Sequence, residues 1–327
     1  MSGTMQAVVV DAPGGPEVLR LREVPIPEAV EGEVLIRVQA FGLNRSELHF
    51  RRGQASSGSF PRIPGIEATG VVAEAPGGEF APGTTVMTMM GGMGRSFDGG
   101  YAEYVRVPAG QVIPFRSALP WATLGAVPEM LQTAYGSLAV GLEAVDGQSL
   151  LIRGGTSSVG LAAAVLAKRR GMTVLATTRS ASRFALLEQV GVDHPLVDTG
   201  EVAAAARELV PGGVDGAIEL VGVNVMRDTL RATRQGGTVC FTGMLSDEWT
   251  IPEFYPMDWL PNGVRLTAYS GEAEGLPAAV LQDYLDAVAD GSAVVPIGRR
   301  YRLDEIVQAH RDLEANAVGG KAVVVLA

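Results

Sequence analysis

The chain contains 327 residues, which suits about two domains, and its 47% apolar and 19% charged residues exclude a mainly disordered protein. Its net charge of −10 argues against binding to nucleic acid, and its single cysteine, Cys240, excludes an intramolecular disulfide and a multi-cysteine metal site. No apolar run approaches the ~18 residues of a membrane span, and residues 1–10 lack a secretory signal pattern. We therefore expect a cytoplasmic protein that is not associated with a membrane.

The first 120 residues are typical of β-structure interrupted by turns. Runs that alternate apolar and polar residues, or that are rich in β-branched residues, lie between glycines and prolines. The alternation at 33–40 is typical of a half-buried strand. These runs predict strands at 6–10, 33–40, 69–75, 84–89 and 101–107.

The pattern changes after residue 148, where short strands alternate with helical runs. Such alternation is typical of βαβ units around a parallel sheet. It predicts strands at 149–153, 173–178, 214–220 and 238–242, and helices at 159–170, 181–190 and 202–210. Helices at 277–290 and 303–316 and strands near Tyr301 and at 321–326 complete the predicted elements.

A glycine-rich turn at 150–160 joins a predicted strand to a predicted helix. This arrangement points backbone N–H groups and the positive end of the helix dipole at a phosphate. Gly155 and Gly160 match the first and third glycines of the dinucleotide fingerprint G-x-G-x-x-G, whereas Ser157 replaces the middle one. The position at the head of a βαβαβ pattern favours nucleotide binding over a glycine turn needed for conformation alone. The predicted cofactor contacts in this turn are Gly155, Thr156, Ser157, Ser158 and Val159.

The predicted cofactor is NADPH. NAD-binding chains carry an acidic residue about 20 residues after the turn, where it binds the ribose 2′-hydroxyl. Here the sequence reads Thr177-Thr178-Arg179-Ser180, followed by Arg183, and contains no acid. Arginines and hydroxyls hold a 2′-phosphate by charge-assisted hydrogen bonds, so we prefer this interpretation to a solvated helix start. The predicted contacts are Thr178, Arg179, Ser180 and Arg183.

Several motifs resemble those of the medium-chain dehydrogenase/reductase superfamily, and within it the zinc-free quinone oxidoreductase-like (zeta-crystallin-like) branch. The motifs are Gly14-Gly15-Pro16-Glu17-Val18-Leu19, Gly42-Leu43-Asn44, Pro64-Gly65-Ile66-Glu67, Asp98-Gly99-Gly100-Tyr101-Ala102-Glu103-Tyr104, the glycine turn and Gly320-Lys321-Ala322-Val323-Val324. The resemblance covers the whole chain. It implies an α/β protein with a GroES-like β-rich catalytic domain (1–122), a Rossmann NADPH-binding domain with a doubly wound parallel sheet (123–268) and a C-terminal segment (269–327) that returns to the catalytic domain. It also implies a cleft between the domains and a homodimer.

The three catalytic zinc positions of related dehydrogenases hold other residues in this sequence. Asn44 stands in place of the first cysteine, Ile66 replaces the histidine of Pro-Gly-His-Glu, and Glu129 falls near the second cysteine. A zinc site needs three or four nitrogen, sulfur or carboxylate ligands, so we predict a protein without zinc. Glu129 is then either a buried acid in the cleft or a structural residue at a helix start.

The resemblance also implies catalytic residues. Asn44 resembles an asparagine beside the nicotinamide that donates to a carbonyl, although a helix cap is equally open from the residue alone. Ser46 and His49 resemble the proton relay of the zinc relatives, but an isolated histidine is more often structural. Thr133 resembles a threonine that contacts the nicotinamide.

The remaining predicted cofactor contacts come from the fold and from the resemblance. Parallel sheets bind ligands at the carboxyl ends of their strands, which predicts contacts from Val221, Phe241, Thr242, Gly243 and Met244. Arg45 resembles a pyrophosphate contact, or is a solvated charge, and Asn316 resembles a C-terminal cofactor contact.

Two segments are candidate walls for a flat apolar substrate. Residues 87–95 are rich in methionine and glycine, which suit a mobile apolar loop, although core packing explains them equally well. The second segment, with Phe254, Tyr255, Met257 and Trp259, either forms another wall or packs the domain junction.

The predicted activity is a hydride transfer that needs no Lewis acid. Reduction of a quinone or an activated enone requires only that a hydrogen bond stabilise the charge developing on an oxygen. We expect an NADPH-dependent reductase of a small apolar or aromatic carbonyl compound. The alternatives are an enoyl-thioester reductase of lipid or polyketide metabolism and a non-catalytic NADPH-binding protein. Arg45 counts against the thioester alternative, because such reductases often carry a tyrosine there.

Overall fold

The computed structural model describes residues 3–55 and 58–326. The chain divides into two compact units, one formed by Met1–Glu129 with Glu272–Ala327 and the other by Met130–Gly271. The expected domain boundaries lie seven and three residues earlier than the junctions between these units. Residues 123–129 pack with the first unit because the Leu124 carbonyl accepts from Thr69 Oγ1 at 3.2 Å and Ala126 is buried against Ala40 and Val323.

The chain begins with a β-rich region that continues into short helices. Its strands are β1 (Thr4–Val9), β2 (Arg20–Pro25), β3 (Glu33–Gly42), β4 (Glu67–Glu74), β5 (Thr85–Met89), β6 (Tyr104–Pro108) and β7 (Val112–Pro114). Its helices are α1 (Arg45–Arg51), α2 (Trp121–Leu124) and α3 (Pro128–Gly136), and a π-helical segment, Ser137–Gly141, follows.

The middle of the chain alternates strands and helices. The strands are β8 (Ser149–Arg153), β9 (Thr173–Thr178), β10 (His194–Val197), β11 (Val214–Glu219), β12 (Thr233–Phe241) and β13 (Arg265–Ala268). The helices are α4 (Ser158–Arg169), α5 (Phe184–Gln189), α6 (Ala203–Leu209), α7 (Val223–Ala232) and α8 (Pro256–Trp259). The chain ends with α9 (Ala278–Ala289), β14 (Ile297–Tyr301), α10 (Ile306–Glu314) and β15 (Lys321–Val325).

The first unit contains a seven-stranded sheet in the order β14-β15-β3-β4-β5-β7, with β6 paired to β3. The C-terminal strand β15 pairs antiparallel with β3, opposite Phe41 and Gly42. This pairing brings Lys321, the first residue of β15, close to the segment that leads from β3 into α1. Strand β3 has neighbours on both edges, and Leu35, on the face that the sequence predicted to be polar, is fully buried. Elsewhere along β3 the predicted half-buried pattern is confirmed, because Val34, Ile36 and Val38 are buried, Arg37 is exposed, and Glu33 and Gln39 are partly exposed.

The second unit contains a six-stranded sheet in the order β10-β9-β8-β11-β12-β13, and all its pairings are parallel. Because the strands are parallel, their carboxyl ends lie together on one side of the sheet, and α/β sheets of this kind bind ligands there. The predicted α/β class, with a β-rich part and a part built on a parallel sheet, is confirmed by this topology.

Some predicted elements have different bounds in the structure. The helix expected at 181–190 is a 3-10 turn, Ala181–Arg183, followed by α5, because the Ser180 side chain accepts from the Ser182 N–H and caps a tight turn. The strand expected at 101–107 begins only at Tyr104, since the Tyr101 N–H donates to the Pro64 carbonyl in a turn. No helix of the described residues is long and apolar enough to cross a membrane.

Candidate active site

The predicted glycine turn lies where β8 passes into α4. The Gly154 N–H donates to Thr177 Oγ1 and the Gly155 N–H to the Thr177 carbonyl, both at 2.9 Å, so the turn is fixed to the end of β9. Ser157 caps α4, because its hydroxyl accepts from the Gly160 N–H at 3.1 Å. The first N–H groups of a helix have no partner within the helix, and at α4 they begin at Ser158, directly after the capping residue Ser157. This geometry fits a phosphate group of a dinucleotide.

Two glycines of the turn are needed for close packing. A Cβ on Gly160 would lie 2.7 Å from the Gly154 carbonyl oxygen, and one on Gly155 would lie 2.7 Å from the Cβ of Ala176. No real Cβ approaches a neighbour so closely. Any side chain at either position would therefore push the turn away from the sheet.

The hydroxyl-rich end of β9 lies next to this turn. Thr178 Oγ1 is buried and has no hydrogen-bond partner within the described part of the chain. Arg179 and Ser180 are exposed, and Ser180 Oγ lies 2.8 Å from Ser182 Oγ. An exposed guanidinium beside several hydroxyls fits the 2′-phosphate of NADPH.

The nearest acidic residue is already paired. Asp198, just after β10, accepts from Thr177 Oγ1 at 3.1 Å and forms two bonds with the buried Arg153, at 2.7 and 2.8 Å. Burial alone would raise the pKa of Asp198, but the hydrogen bonds and charge of Arg153 outweigh it and hold that pKa below its usual range. Arg153 also pairs with Asp228 at 2.6 Å. The sequence interpretation missed this buried group, although an arginine inside an apolar strand was a signal for it.

Glu219 organises the ends of β11 and β12. Its Oε1 accepts from the N–H groups of Val221, at 2.7 Å, and Gly222, at 3.1 Å, and its backbone carbonyl accepts from those of Thr242 and Gly243. Predicted cofactor contacts from two separate loops therefore meet at one residue that the sequence did not single out. Burial raises the pKa of Glu219 to about 7 against the effect of its hydrogen bonds.

Thr133 is connected to Thr242, at the carboxyl end of β12, through the side chain of Ser137. Ser137 Oγ lies 2.7 Å from the Thr133 carbonyl, to which it donates, and 3.0 Å from Thr242 Oγ1. The structure thus connects the predicted residues Thr133 and Thr242 through Ser137. Phe241 and Met244, also predicted contacts, flank Thr242 and are partly buried.

A cluster of buried charges lies in the first unit, where α1, β4, α3 and β15 meet. We call it the Lys321 cluster, and its members are Asn44, Glu47, Glu67, Glu129 and Lys321. Lys321 Nζ lies 2.8 Å from Glu67 Oε1, 3.6 Å from Glu129 Oε2 and 2.6 Å from Asn44 Oδ1. Burial alone would lower the pKa of Lys321, but the charges of Glu67 and Glu129 outweigh it and raise that pKa.

The hydrogen bonds of Asn44 lie within the Lys321 cluster. Its amide Nδ2 donates to Glu67 Oε1 at 2.8 Å and lies 3.3 Å from Glu47 Oε1, and its oxygen accepts from Lys321. Asn44 also caps α1, with its backbone N–H donating to Glu47 Oε2 at 2.8 Å. Both amide hydrogens are thus engaged, and donation to a substrate carbonyl would require one of these bonds to break.

Glu47 is fully buried and its carboxylate also accepts from the Ile66 N–H at 3.1 Å. Burial is the main cause that raises the pKa of Glu47 to about 7, and the charge of Glu67 adds to it. Near neutral pH this carboxyl group is therefore partly protonated.

The residues at the three metal positions do not fit zinc. Ile66 has no ligand atom in its side chain, and the ammonium group of Lys321 lies beside both Asn44 and Glu129. A cation bound among these residues would be repelled by Lys321 and would lack a tetrahedral set of nitrogen and sulfur ligands. Across residues 3–55 and 58–326 no cluster of histidine, cysteine and acidic side chains suits a metal ion.

The predicted proton relay lies on α1. Ser46 and His49 are one helical turn apart, and His49 is largely buried. Ser46 Oγ accepts a hydrogen bond from Arg95, the last residue of the candidate substrate wall at 87–95. Arg45, at the start of the same helix, donates to the side chain of Asn316, so two predicted cofactor contacts touch each other.

The two candidate substrate walls differ in burial. Met87, Met89 and Met93 are fully buried, so core packing accounts for these three residues. In the second unit Phe254, Tyr255 and Met257 are exposed. Arg95, at the end of the methionine-rich loop, is only partly buried.

Comparison with known proteins identifies the family. The model of the alcohol dehydrogenase GroES-like domain matches residues 30–117, and that of the zinc-binding dehydrogenases matches residues 158–279. Quinone oxidoreductases from Lama guanicoe and Homo sapiens are 32% and 31% identical, over 98% of this chain and 98% of each relative. This chain belongs to the quinone oxidoreductase-like branch of the medium-chain dehydrogenase/reductase superfamily. The resemblance inferred from the sequence motifs is thus confirmed.

A solved structure from the same superfamily adds information about a cofactor. Mycobacterial Rv1454c, complexed with NADPH, matches 98% of this chain and all of its own length, with a TM-score of 0.86 and 26% identity. The model of the zinc-binding dehydrogenases matches residues 158–279, so the match does not include the three metal positions Asn44, Ile66 and Glu129. Family membership therefore establishes an oxidoreductase with a nicotinamide-binding fold.

Proposed function

We propose that this protein is a zinc-independent reductase that transfers a hydride from NADPH to a quinone or an activated enone. The observation that carries the proposal is the Lys321 cluster, in which an ammonium group lies 2.6 Å from Asn44 Oδ1 and 3.6 Å from Glu129 Oε2. The ammonium group of Lys321 thus lies beside Asn44 and Glu129, two of the three positions where zinc relatives bind their metal, and balances the carboxylates of Glu67 and Glu129. Reduction of a quinone or enone proceeds without a Lewis acid, whereas alcohol oxidation loses its main source of alkoxide stabilisation.

The choice of NADPH is supported by charge at the end of β9. Arg179 is exposed and forms no ion pair with any residue in the described ranges, and Thr178 Oγ1 has no partner there. Asp198, the one carboxylate of the described residues that is bonded to this strand end, is neutralised by Arg153. A 2′-phosphate bound here would lie beside the exposed guanidinium of Arg179, and the nearby Asp198 carboxylate is already bonded to Arg153.

Residues of this chain would position the cofactor and transfer a proton to the product. When bound, NADPH supplies the hydride, so the product must also gain a proton. The α4 N-terminus would bind the pyrophosphate, and Glu219 would hold the loops after β11 and β12 in place. Ser46 and His49 would deliver the proton to the product oxygen or carbon. Asn44 would act by fixing α1 through Glu47 and Glu67.

The substrate class is a small apolar or aromatic carbonyl compound. The names of the relatives favour quinones, since those from Lama guanicoe and Homo sapiens are quinone oxidoreductases. A homodimer remains part of the proposal, on the same family grounds.

The experiment measures metal content and activity on one preparation. We expect less than about 0.1 zinc per chain, and NADPH oxidation with 1,4-benzoquinone that is unchanged after exhaustive chelation. One zinc per chain, or activity that chelation removes and zinc restores, would overturn zinc independence. An alcohol dehydrogenase that depends on zinc serves as the positive control for the chelation.

A further inference from the structure

Arg95 lies at the end of the methionine-rich loop, beside the start of α1. Its Nη2 donates to the Ser46 carbonyl at 2.8 Å and to Ser46 Oγ. Its guanidinium also stacks over the Phe50 ring, 5.1 Å from the ring centre. These contacts fix the side chain against α1, the helix that carries the predicted proton relay.

The positive charge of Arg95 lacks a counter-ion. No carboxylate of the described residues forms an ion pair with it, and its Nε atom is buried without a hydrogen-bond partner there. Glu47 interacts electrostatically with Arg95, but its carboxylate oxygens accept hydrogen bonds from the N–H groups of Asn44 and Ile66. Glu47 is also partly protonated near neutral pH, since burial raises its pKa to about 7. Burial lowers the pKa of Arg95, which agrees with a charge that is poorly solvated.

A partly buried cation without a counter-ion attracts an anion strongly, because it has lost much of its hydration. Most of the other arginines with buried atoms have acidic partners. Arg51 pairs with Glu314, Arg62 with Asp98, and Arg153 with Asp198 and Asp228. Arg95 differs from all three.

We propose that Arg95 binds the carbonyl oxygen of the acceptor and stabilises the negative charge that develops on it. This inference rests on the proposed function. Arg95 would thus supply the positive charge that a metal ion provides in the zinc-dependent relatives, and Ser46, held by the same guanidinium, would lie beside that oxygen.

The electron balance of the step is simple. The hydride forms a new C–H bond on the acceptor, and the displaced π-electron pair moves to the oxygen as NADPH becomes NADP+. Arg95 stabilises the resulting enolate or phenolate and keeps its own proton. One proton then reaches the product through Ser46 and His49 or from water, which gives the saturated ketone from an enone. With a quinone the same uptake gives the keto tautomer of the hydroquinone, and transfer of one ring C–H proton to the remaining carbonyl oxygen completes the reduction.

The first test compares substitutions of Arg95 in the intact protein. For Arg95→Met we expect kcat with 1,4-benzoquinone and with but-3-en-2-one to fall about 100-fold, while the KM for NADPH stays within about twofold. Arg95→Lys should retain about a tenth of the activity, because it keeps the charge but loses the planar guanidinium that is held against Ser46. Arg299→Met is the matched control, since Arg299 also stacks on an aromatic ring, that of Tyr301, in the same unit. Unchanged kcat in Arg95→Met would overturn the proposal.

A second test separates this proposal from the proposed function. Binding of 4-nitrophenolate, an anion of similar shape to a reduced quinone, is measured by calorimetry on the NADP+-loaded protein. We expect the affinity to fall at least tenfold in Arg95→Met and to stay unchanged in Arg299→Met. Equal binding in all three proteins would overturn the role of Arg95. Absence of turnover in the wild-type protein would overturn the proposed function, while the phenolate result would still decide the role of Arg95.

Discussion

Lys321 shows how a single buried side chain can depend on its neighbours. Its ammonium group and the Glu67 carboxylate are both almost completely inaccessible to water, and they lie 2.8 Å apart. Removing water from either charge costs several kcal/mol unless the partner is present. The local structure of the first unit therefore depends on the presence of both Lys321 and Glu67.

We predict that Lys321→Met destabilises the protein by about 3–5 kcal/mol, because Glu67 and Glu129 are left without their cation. The free energy of unfolding in urea measures the effect. Lys168→Met, which removes a half-exposed pair with Asp193, is the control and should cost less than about 1 kcal/mol. The double variant Lys321→Met, Glu67→Gln should recover part of the loss. Equal stability of Lys321→Met and the wild type would contradict the buried pair.

Arg179 carries the predicted preference for NADPH. Arg179→Asp should raise the KM for NADPH by about 10–100-fold, since it removes a charge-assisted bond and adds repulsion of the 2′-phosphate. The KM for NADH should change by less than about threefold. Steady-state kinetics with both cofactors measures the difference, and Arg231→Asp, an exposed charge reversal on α7, is the control. Equal losses for both cofactors would remove Arg179 from the 2′-phosphate site.

At the scale of elements, the sequence predicted the strands that are buried on both faces most accurately. Strands β8 and β9 have the predicted bounds because their apolar runs are short and end at glycine or polar residues. Helix α7 was not predicted, although it separates β11 from β12. Strand β13 was also missed, because it is short, lies at the sheet edge and is only partly buried.

The turn from β8 to α4 depends on glycines that have no room for a side chain. Gly160→Ala would place a methyl group 2.7 Å from the Gly154 carbonyl oxygen. We predict at least a tenfold loss of NADPH affinity, because the N–H groups at the start of α4 would shift away from the phosphate position. Fluorescence titration with NADPH measures this loss.

Gly110→Ala is the control for that substitution, because no atom lies within 4 Å of its added Cβ. It should bind NADPH as the wild type does. If Gly160→Ala also binds with unchanged affinity, the close packing of the turn is not needed for cofactor binding.

At the scale of the whole molecule, buried titratable groups make stability depend on pH. His310 is fully buried, with Nε2 3.2 Å from the Tyr101 hydroxyl. Burial, with a contribution from Arg51, lowers the pKa of His310 to about 3. The unfolded chain takes up a proton near pH 6.5, whereas the folded chain does not, so this group reduces stability as the pH falls below about 6.5.

We predict that His310→Gln removes this dependence. Between pH 6.5 and 5 the wild type should lose about 1.6 kcal/mol relative to the variant, because the unfolded histidine is half protonated at pH 6.5 and almost fully protonated at pH 5. Glu47 and Glu219, with pKa values raised to about 7, act in the opposite direction in both proteins and cancel in the comparison. Urea unfolding of both proteins at the two pH values gives the result, and a stability difference that stays constant with pH would contradict it.

The sequence could predict the fold class and the location of the cofactor turn, because local patterns encode both. It could not predict the Lys321 cluster, whose members are separated by up to 277 residues and meet only through pairing of β15 with β3. Glu219 was missed for the same reason, since its carbonyl holds a loop from elsewhere in the fold. The sequence placed Arg95 in a candidate substrate wall but could not predict its contact with Ser46. The roles of the predicted site residues stay predictions, and the side-chain amide of Asn44 is occupied by bonds within the Lys321 cluster.

The most direct test is NADPH oxidation, with NADH in parallel, against 1,4-benzoquinone, a naphthoquinone, but-3-en-2-one and a crotonyl thioester. We predict turnover of the quinones and the enone with NADPH, much slower turnover with NADH, and little turnover of the thioester. Turnover of the thioester alone would identify an enoyl-thioester reductase, and NADPH binding without any turnover would indicate a non-catalytic protein. Either result would contradict the proposed function.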